Sequence, residues 1–491
     1  MTISASQRPT APTLLWGIIA VLVGLFIAVQ PTGTVITFAA IIVIILLAMV
    51  TPFAALLVLL VLSPLRTLIA TEAPGQLPLD IGQIAFVGFA ASYALNRIVH
   101  RRALIQIRWS PFYIPLFIIL GATGLSAFSA VSLGAWLNEW LKWVQIVVVI
   151  LLITNLVNDD RWHWLVFGLV VSGVANALVG IYQFFGGSGA LHLVINGRYF
   201  RAFGTFGQPN PFGGYMGLLL PVALMASLGY AYRLWSKWRL TRRIERVSIL
   251  PVAFYIAASV ILLAGIATSW SRGAWLGLAV SLAVLAFALP RRVWQSAVLV
   301  ALLGGILAML WSANLLPQSV ISRINSATQE YFTFTDVRGT KITSENYPVV
   351  ERLAHWQAAL DMASSHPVFG VGLGNYEVVY SEYRLFNWHF PLGHAHNYYL
   401  NILAETGIIG LLGYGKGWLG IIWLTWRVRR HPDVFARLVA IGLLGSWVYL
   451  AVHSLFDNLY VNNIFVHMGL MLAVLAVLYN QIGQQHKVEV R

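Results

Sequence analysis

The chain has 491 residues, of which 59% are hydrophobic and only 10% charged, with a formal net charge of +14 and no cysteine. That composition excludes an ordinary soluble enzyme, a disulfide scaffold and thiol chemistry. Nor does the positive balance point to nucleic acid. The basic residues gather in alternate loops, as membrane topology and anionic headgroups require: Arg97, Arg101, Arg102 and Arg108; then Arg233, Lys237, Arg239, Arg242, Arg243 and Arg246; then Arg427, Arg429 and Arg430.

Continuous apolar runs, each long enough to cross the roughly 30 Å hydrocarbon core, predict helices rather than the alternating strands of a barrel. Fourteen fall near residues 14–29, 35–50, 53–70, 81–98, 112–128, 135–157, 162–184, 211–230, 249–269, 273–289, 293–311, 398–426, 434–455 and 465–479. The fold class is therefore an all-α polytopic membrane protein of about 12–14 transmembrane helices, with one long extracytoplasmic loop carrying amphipathic helices. Only Arg8 precedes the first run, which reads as a signal anchor rather than a cleavable leader. With the amino terminus inside, every strongly basic loop also falls inside, so both termini are expected in the cytoplasm. Segments 187–210, 269–272 and 314–397 are then expected outside. Three parts follow: transmembrane helices over 1–313, the loop over 314–397, and the last helices over 398–491.

The long loop has internal pattern. Over 348–362, Val349, Val350, Leu353, Trp356 and Leu360 recur at helical spacing with Glu351, Arg352, His355 and Gln357 between them. This predicts an amphipathic helix lying at the interface or against the spans. Residues 333–343 read as a turn or short hairpin. FGVGLG over 369–374 has no strand–helix unit around it and reads as a tight turn between loop helices, not a dinucleotide site.

Three expected outer segments carry polar groups that composition does not explain. In RAFGTFGQPNP, Arg201 stands just outside a span, followed by glycines that allow close backbone approach and a Pro-Asn-Pro turn around Asn210. In SWSRG, Arg272 opens a span where the helix dipole also favours an anion. Two arginines at one face suit phosphate oxygens, although each alone also fits an interface anchor. In HAHNYY, His394 and His396 precede a helix that Asn397 is placed to cap. A histidine here could serve as a general base near neutral pH. The His-x-His pair also fits a metal site with Glu405 or His366, or a purely structural cap. Glu405, inside the apolar run, calls for a polar neighbour within the bundle.

Taken in order, RAFGTFGQPNP, SRG at the head of a span, ERLAHWQAALDMASSHPVFGVGLGNY and HAHNYYLNILAETGIIG resemble the O-antigen ligase and polymerase superfamily, across residues 201–410. The resemblance implies inverting glycosyl transfer outside the cytoplasmic membrane, with no metal, nucleotide or other cofactor. The donor it implies is a glycan on undecaprenyl diphosphate, and the acceptor a lipid, glycan or protein hydroxyl. Carried over, Arg201, Arg272 and Arg352 would contact the donor diphosphate, and His396, with His394 as second candidate, would activate the acceptor. Asn210, Asn397 and Glu405 would support them. Ligase, polymerase and protein glycosylating activities share this pattern. A solute transporter, such as a bicarbonate carrier, is the reading of a different class. It predicts paired broken helices and ionisable groups at mid-membrane, where Lys142, Glu405 and Lys416 are the candidates. A non-catalytic scaffold would not require His396.

Overall fold

The computed structural model describes residues 32–65, 80–157, 161–187, 190, 193–195, 197–243, 246–290, 293–312, 336–343 and 346–489. The expected span at 14–29 and the loop residues 314–335 lie outside these. The chain forms two compact units, Met1–Arg102 and Ala103–Arg491.

In the first unit, α1 (Thr32–Met49) and α2 (Pro52–Leu62) pack on α3 (Ile81–Val99). The turn between α1 and α2 is tied to α3 by the Ser92 hydroxyl, which donates to the Val50 carbonyl at 2.6 Å. Asp80 and Gln83 form a reciprocal capping box that starts α3 and satisfies two otherwise orphaned amides.

The second unit holds α4 (Tyr113–Gly124), α5 (Leu133–Leu156), α6 (Trp162–Gly186), α7 (Pro209–Thr241), α8 (Arg246–Ser269), α9 (Arg272–Ala288) and α10 (Val293–Ser312). Then come α11 (Tyr347–Ser365), α12 (Tyr376–Tyr383), α13 (Tyr398–Val428), α14 (Val434–His453) and α15 (Ile464–Glu489). A two-residue antiparallel pair, Val194–Ile195 with Tyr199–Phe200, is the sole sheet among the described residues. Seven helices of this unit are long and apolar enough to cross a membrane, and α4 and α9 are shorter apolar helices. The protein is an all-α, multi-pass membrane protein.

Lipid tails are as apolar as leucine, so packing between spans depends on close approach rather than on expulsion of water. Helix α7 sits between α8 and α14, and Gly217 lies flat against the Tyr449 ring, where any Cβ would collide. α4 packs on α13 and α5 on α15 in the same way, with Gly417 seated on Ile119 and Gly469 on Val149. The connections place the starts of α5, α7, α9, α13 and α15, and the ends of α4, α6, α8 and α14, at one end of the unit. Bonds across that end include Tyr398 N–H to the Ser454 carbonyl at 2.8 Å and Ala202 N–H to the Thr268 carbonyl at 2.9 Å.

The loop helix expected at 348–362 spans Tyr347–Ser365 and packs on α13. With α12 it buries Ala358, Ala359, Met362, Tyr376, Val379 and Tyr380 against Ala404. The described part of 333–343 contains a turn at Arg338–Gly339 and no strand.

The structure differs from one uninterrupted span at α13. Its backbone breaks at Gly407 (φ 62°, ψ −166°), in the left-handed region that glycine adopts readily. The FGVGLG turn fills the break: Val371 and Gly372 N–H groups donate to the Ala404 and Glu405 carbonyls at 2.9 and 2.8 Å, and Ile408 N–H donates to the Pro367 carbonyl at 2.9 Å. These bonds replace rungs that the break removes from the helix.

Candidate active site at the mouth of the bundle

Three residues before α13 take left-handed backbone conformations: Leu392 (φ 51°), Gly393 (φ 77°) and His396 (φ 52°). A histidine held there is strained and persists only where its surroundings over-determine it. Here they do. His396 N–H donates to His394 Nδ1 at 3.0 Å, and Ala395 N–H to Asn401 Oδ1 at 3.1 Å. Asn397 caps α13 as its position implied, accepting from the amides of Tyr399 and Leu400 at 3.0 and 3.2 Å.

Between α14 and α15 the chain turns back over this segment, and Asp457, only 1% exposed, lies between the two imidazoles. Its Oδ1 is 3.6 Å from His394 Nε2 and 3.5 Å from His396 Nδ1, and it also accepts from the Asn458 amide at 2.8 Å. Burial pushes the Asp457 carboxyl up, but His396, His394 and His453 outweigh it and hold it well below the usual carboxylate range. Burial, with the neighbouring His396, depresses His394 to about 4 against the pull of Asp457, so this ring is neutral at pH 7.

These three residues have the composition of a metal site, with ligand atoms within 4.8 Å of one another. The proton placement argues against it. His394 Nδ1 accepts a backbone amide, so the neutral ring carries its proton on Nε2, the atom facing Asp457, and offers no lone pair there. The arrangement instead suits a carboxylate that fixes tautomers. With Asp457 accepting a hydrogen bond from His396 Nδ1–H, the Nε2 lone pair of His396 is left to act as a base.

The arginine-bearing segments converge on the same end. Arg201 Nε donates to the Ser269 carbonyl and its terminal nitrogen to Asn210 Oδ1, both at 3.2 Å, tying the first motif to the second. Gly204 and Gly207 are both left-handed (φ 52° and 73°), as the tight turn demands. Arg272 is the first residue of α9, capped by Ser271, whose hydroxyl accepts from Ala274 N–H at 3.4 Å. The next residue, Gly273, lies so close to His453 that a Cβ would meet its ring carbon at 2.7 Å, which seats the α9 start on the turn leading to Asp457. Arg352, on α11, is close enough for its charge to act on both His394 and His453.

Glu405 lies at the break in α13 rather than beside the two histidines. Buried at the break in α13, it accepts Tyr376 N–H at 3.1 Å and is also approached by the Gly374 amide and the Asn401 side chain. It therefore caps α12 from outside, the polar neighbour that a carboxylate in an apolar run required. His366 is remote from the pair, contacting Ser365 and Tyr383 instead. Lys142 pairs with Glu139. Asp457 and His355 were not anticipated. A carboxylate four residues past a span-terminal histidine, in HSLFD, was the available signal for the first.

Residues 257–415 match the O-antigen ligase family profile. Over that stretch, about a third of its length, the chain is similar to O-antigen ligases. This match holds Arg272, Arg352, both mouth histidines and Glu405, while Arg201 and Asp457 lie outside it. The chain is also similar to the teichuronic acid biosynthesis protein TuaE of Bacillus subtilis (strain 168), 29% identical over 109 residues. That alignment covers 22% of this chain and 22% of the relative's length.

Proposed function

We propose that the protein is a metal-independent, inverting glycosyltransferase. It moves an oligosaccharide or polysaccharide from a polyprenyl diphosphate to an acceptor hydroxyl at the outer face of the cytoplasmic membrane. The observation that carries the reading is Asp457 buried between His394 and His396, at the end where the Arg201, Arg272 and Arg352 segments meet. The similarity of residues 257–415 to O-antigen ligases supports the reaction class. The alternation of basic loops supports the outer location and cytoplasmic termini.

In this mechanism His396 Nε2 takes the proton of the acceptor hydroxyl while its oxygen attacks the anomeric carbon. The new C–O bond forms on the face opposite the diphosphate, the old C–O bond breaks, and the electron pair leaves with undecaprenyl diphosphate. Asp457 stabilises the imidazolium that results, and the arginines stabilise the growing phosphate charge. His394, neutral, holds Asp457 and the left-handed turn rather than the proton.

The acceptor is a lipid core, a glycan or a protein hydroxyl. The similarity to a protein named for teichuronic acid biosynthesis supports a polysaccharide substrate, with a polymerase or a protein glycosylating variant as the alternative to a ligase. The transport reading calls for paired broken helices. Among the described residues α13 alone has non-helical backbone inside it, and loop backbone fills that break.

The test is the product's anomeric configuration, read by NMR after transfer from a labelled undecaprenyl-diphosphate glycan in nanodiscs, with and without EDTA. Inverted configuration and unchanged rate in EDTA are expected. Retained configuration would remove the single-displacement mechanism, and loss of transfer in EDTA would restore the metal.

A further inference from the structure

Helix α11 carries a histidine three residues beyond Arg352. His355 is 1% exposed, its ring stacked on Tyr380 (centroids 4.9 Å, 16°) and meeting the His396 ring edge to face at 5.8 Å. Burying an imidazole beside another without use would be costly, so its polar atoms need an account. The Tyr376 hydroxyl supplies it. It donates to the His355 carbonyl at 3.2 Å and lies 2.9 Å from His355 Nδ1. With its one proton on the carbonyl, the hydroxyl must receive the Nδ1 proton, which fixes the tautomer and the plane of the ring. Tyr376 is in turn fixed by its own amide, bonded to Glu405 Oε1 at 3.1 Å, beside the break in α13.

We propose that His355 is a positioning residue for His396, oriented through a buried chain that runs from Glu405 through Tyr376. The chain joins four separate segments: the broken span, α12, the Arg352-bearing α11 and the histidine mouth. Docking of α11 therefore sets the His396 ring and brings Arg352 to the donor side together. The assignment rests on the reading of His396 as the base.

The test is a set of variants in the full-length protein in nanodiscs, using labelled undecaprenyl-diphosphate glycan as donor with glycan, lipid-core and protein acceptors mixed. Tyr376→Phe removes one hydroxyl and keeps the ring. His355→Phe keeps the stacked ring and loses the Nδ1 bond, whereas His355→Asn puts an amide near Nδ1. Partners that orient an active imidazole are worth about 10–100-fold in activity. Both Phe variants should lower kcat by about that factor with the donor KM unchanged, and the double variant should be no worse than either single one. His355→Asn should recover part of the loss. Parent kcat in both Phe variants, or losses that multiply in the double variant, would overturn the chain while His396→Ala stayed inactive. Transfer by His396→Ala at the parent rate would overturn this assignment together with the base.

Discussion

At the scale of the residue, the site is a carboxylate setting two imidazoles. Replacing Asp457 with Asn keeps the shape but offers an amide where a proton acceptor is needed, which frees His396 to adopt the wrong tautomer. Asp457→Asn should therefore cut kcat by at least about 100-fold and leave binding of undecaprenyl diphosphate intact, measured by single-turnover transfer and by ligand binding. Equal turnover would remove the carboxylate from the mechanism. His355 gives a pH dependence. Burial, with His396 and His394, depresses it to about 3. The unfolded chain then binds the extra proton first, so stability is full above about pH 6.5 and is lost as pH falls toward 3, at up to about 1.4 kcal/mol per unit. Melting of the detergent-solubilised protein between pH 7 and 5 should fall more steeply for the parent than for His355→Phe; parallel slopes would refute this. His394, His396 and Arg272 drew notice in the sequence because each stands beside glycine or asparagine at the edge of a span. Asp457 did not, since its role arises only when the α14–α15 turn folds over a segment sixty residues earlier. His355 was hidden differently: the amphipathic pattern puts it among the polar positions of α11, and only folding brings the Tyr380 and His396 rings against it.

At the scale of the element, α13 concentrates the design. The apolar pattern runs through Glu405-Thr406-Gly407 without interruption, so the sequence reads as one helix. The break depends on a turn thirty-odd residues upstream, which no local pattern reports. Gly407→Ala would place a Cβ against the Val368 carbonyl at a left-handed φ, and Gly370→Ala would press on Glu405. Each should destabilise the protein by about 2–4 kcal/mol, seen as a lowered melting temperature. Gly415→Ala, in the same helix with nothing within 4 Å of its Cβ, should be neutral or slightly stabilising. If all three behaved alike, the break would not be the constraint described. Most spans and α11 were legible as elements, because hydrophobic period and length decide a membrane helix, although α7 and α15 run on to Thr241 and Glu489, past the ends expected at 230 and 479.

At the scale of the whole molecule, the account needs the polar end of the bundle outside and the basic loops inside. The natural absence of cysteine makes this directly checkable. A single cysteine at Ser364, exposed on α11, should react with a membrane-impermeant maleimide in intact cells, whereas one at Arg243, exposed beyond α7, should react only after permeabilisation. The opposite pattern would invert the topology. The arginines belong to this scale too, because they come from three distant segments. Arg201→Ala and Arg272→Ala should each weaken use of the diphosphate donor more than the Lys substitutions do, since only guanidinium contacts two phosphate oxygens at once. Equal donor KM values across the set would remove the clamp.

The most direct measurement is transfer itself, with purified protein in nanodiscs and a labelled undecaprenyl-diphosphate glycan offered to mixed acceptors. Undecaprenyl diphosphate should be released in step with glycan gained by one acceptor. His396→Ala should bind the donor and release none. Release without any acceptor gaining mass, or transfer by His396→Ala at the parent rate, would contradict the account.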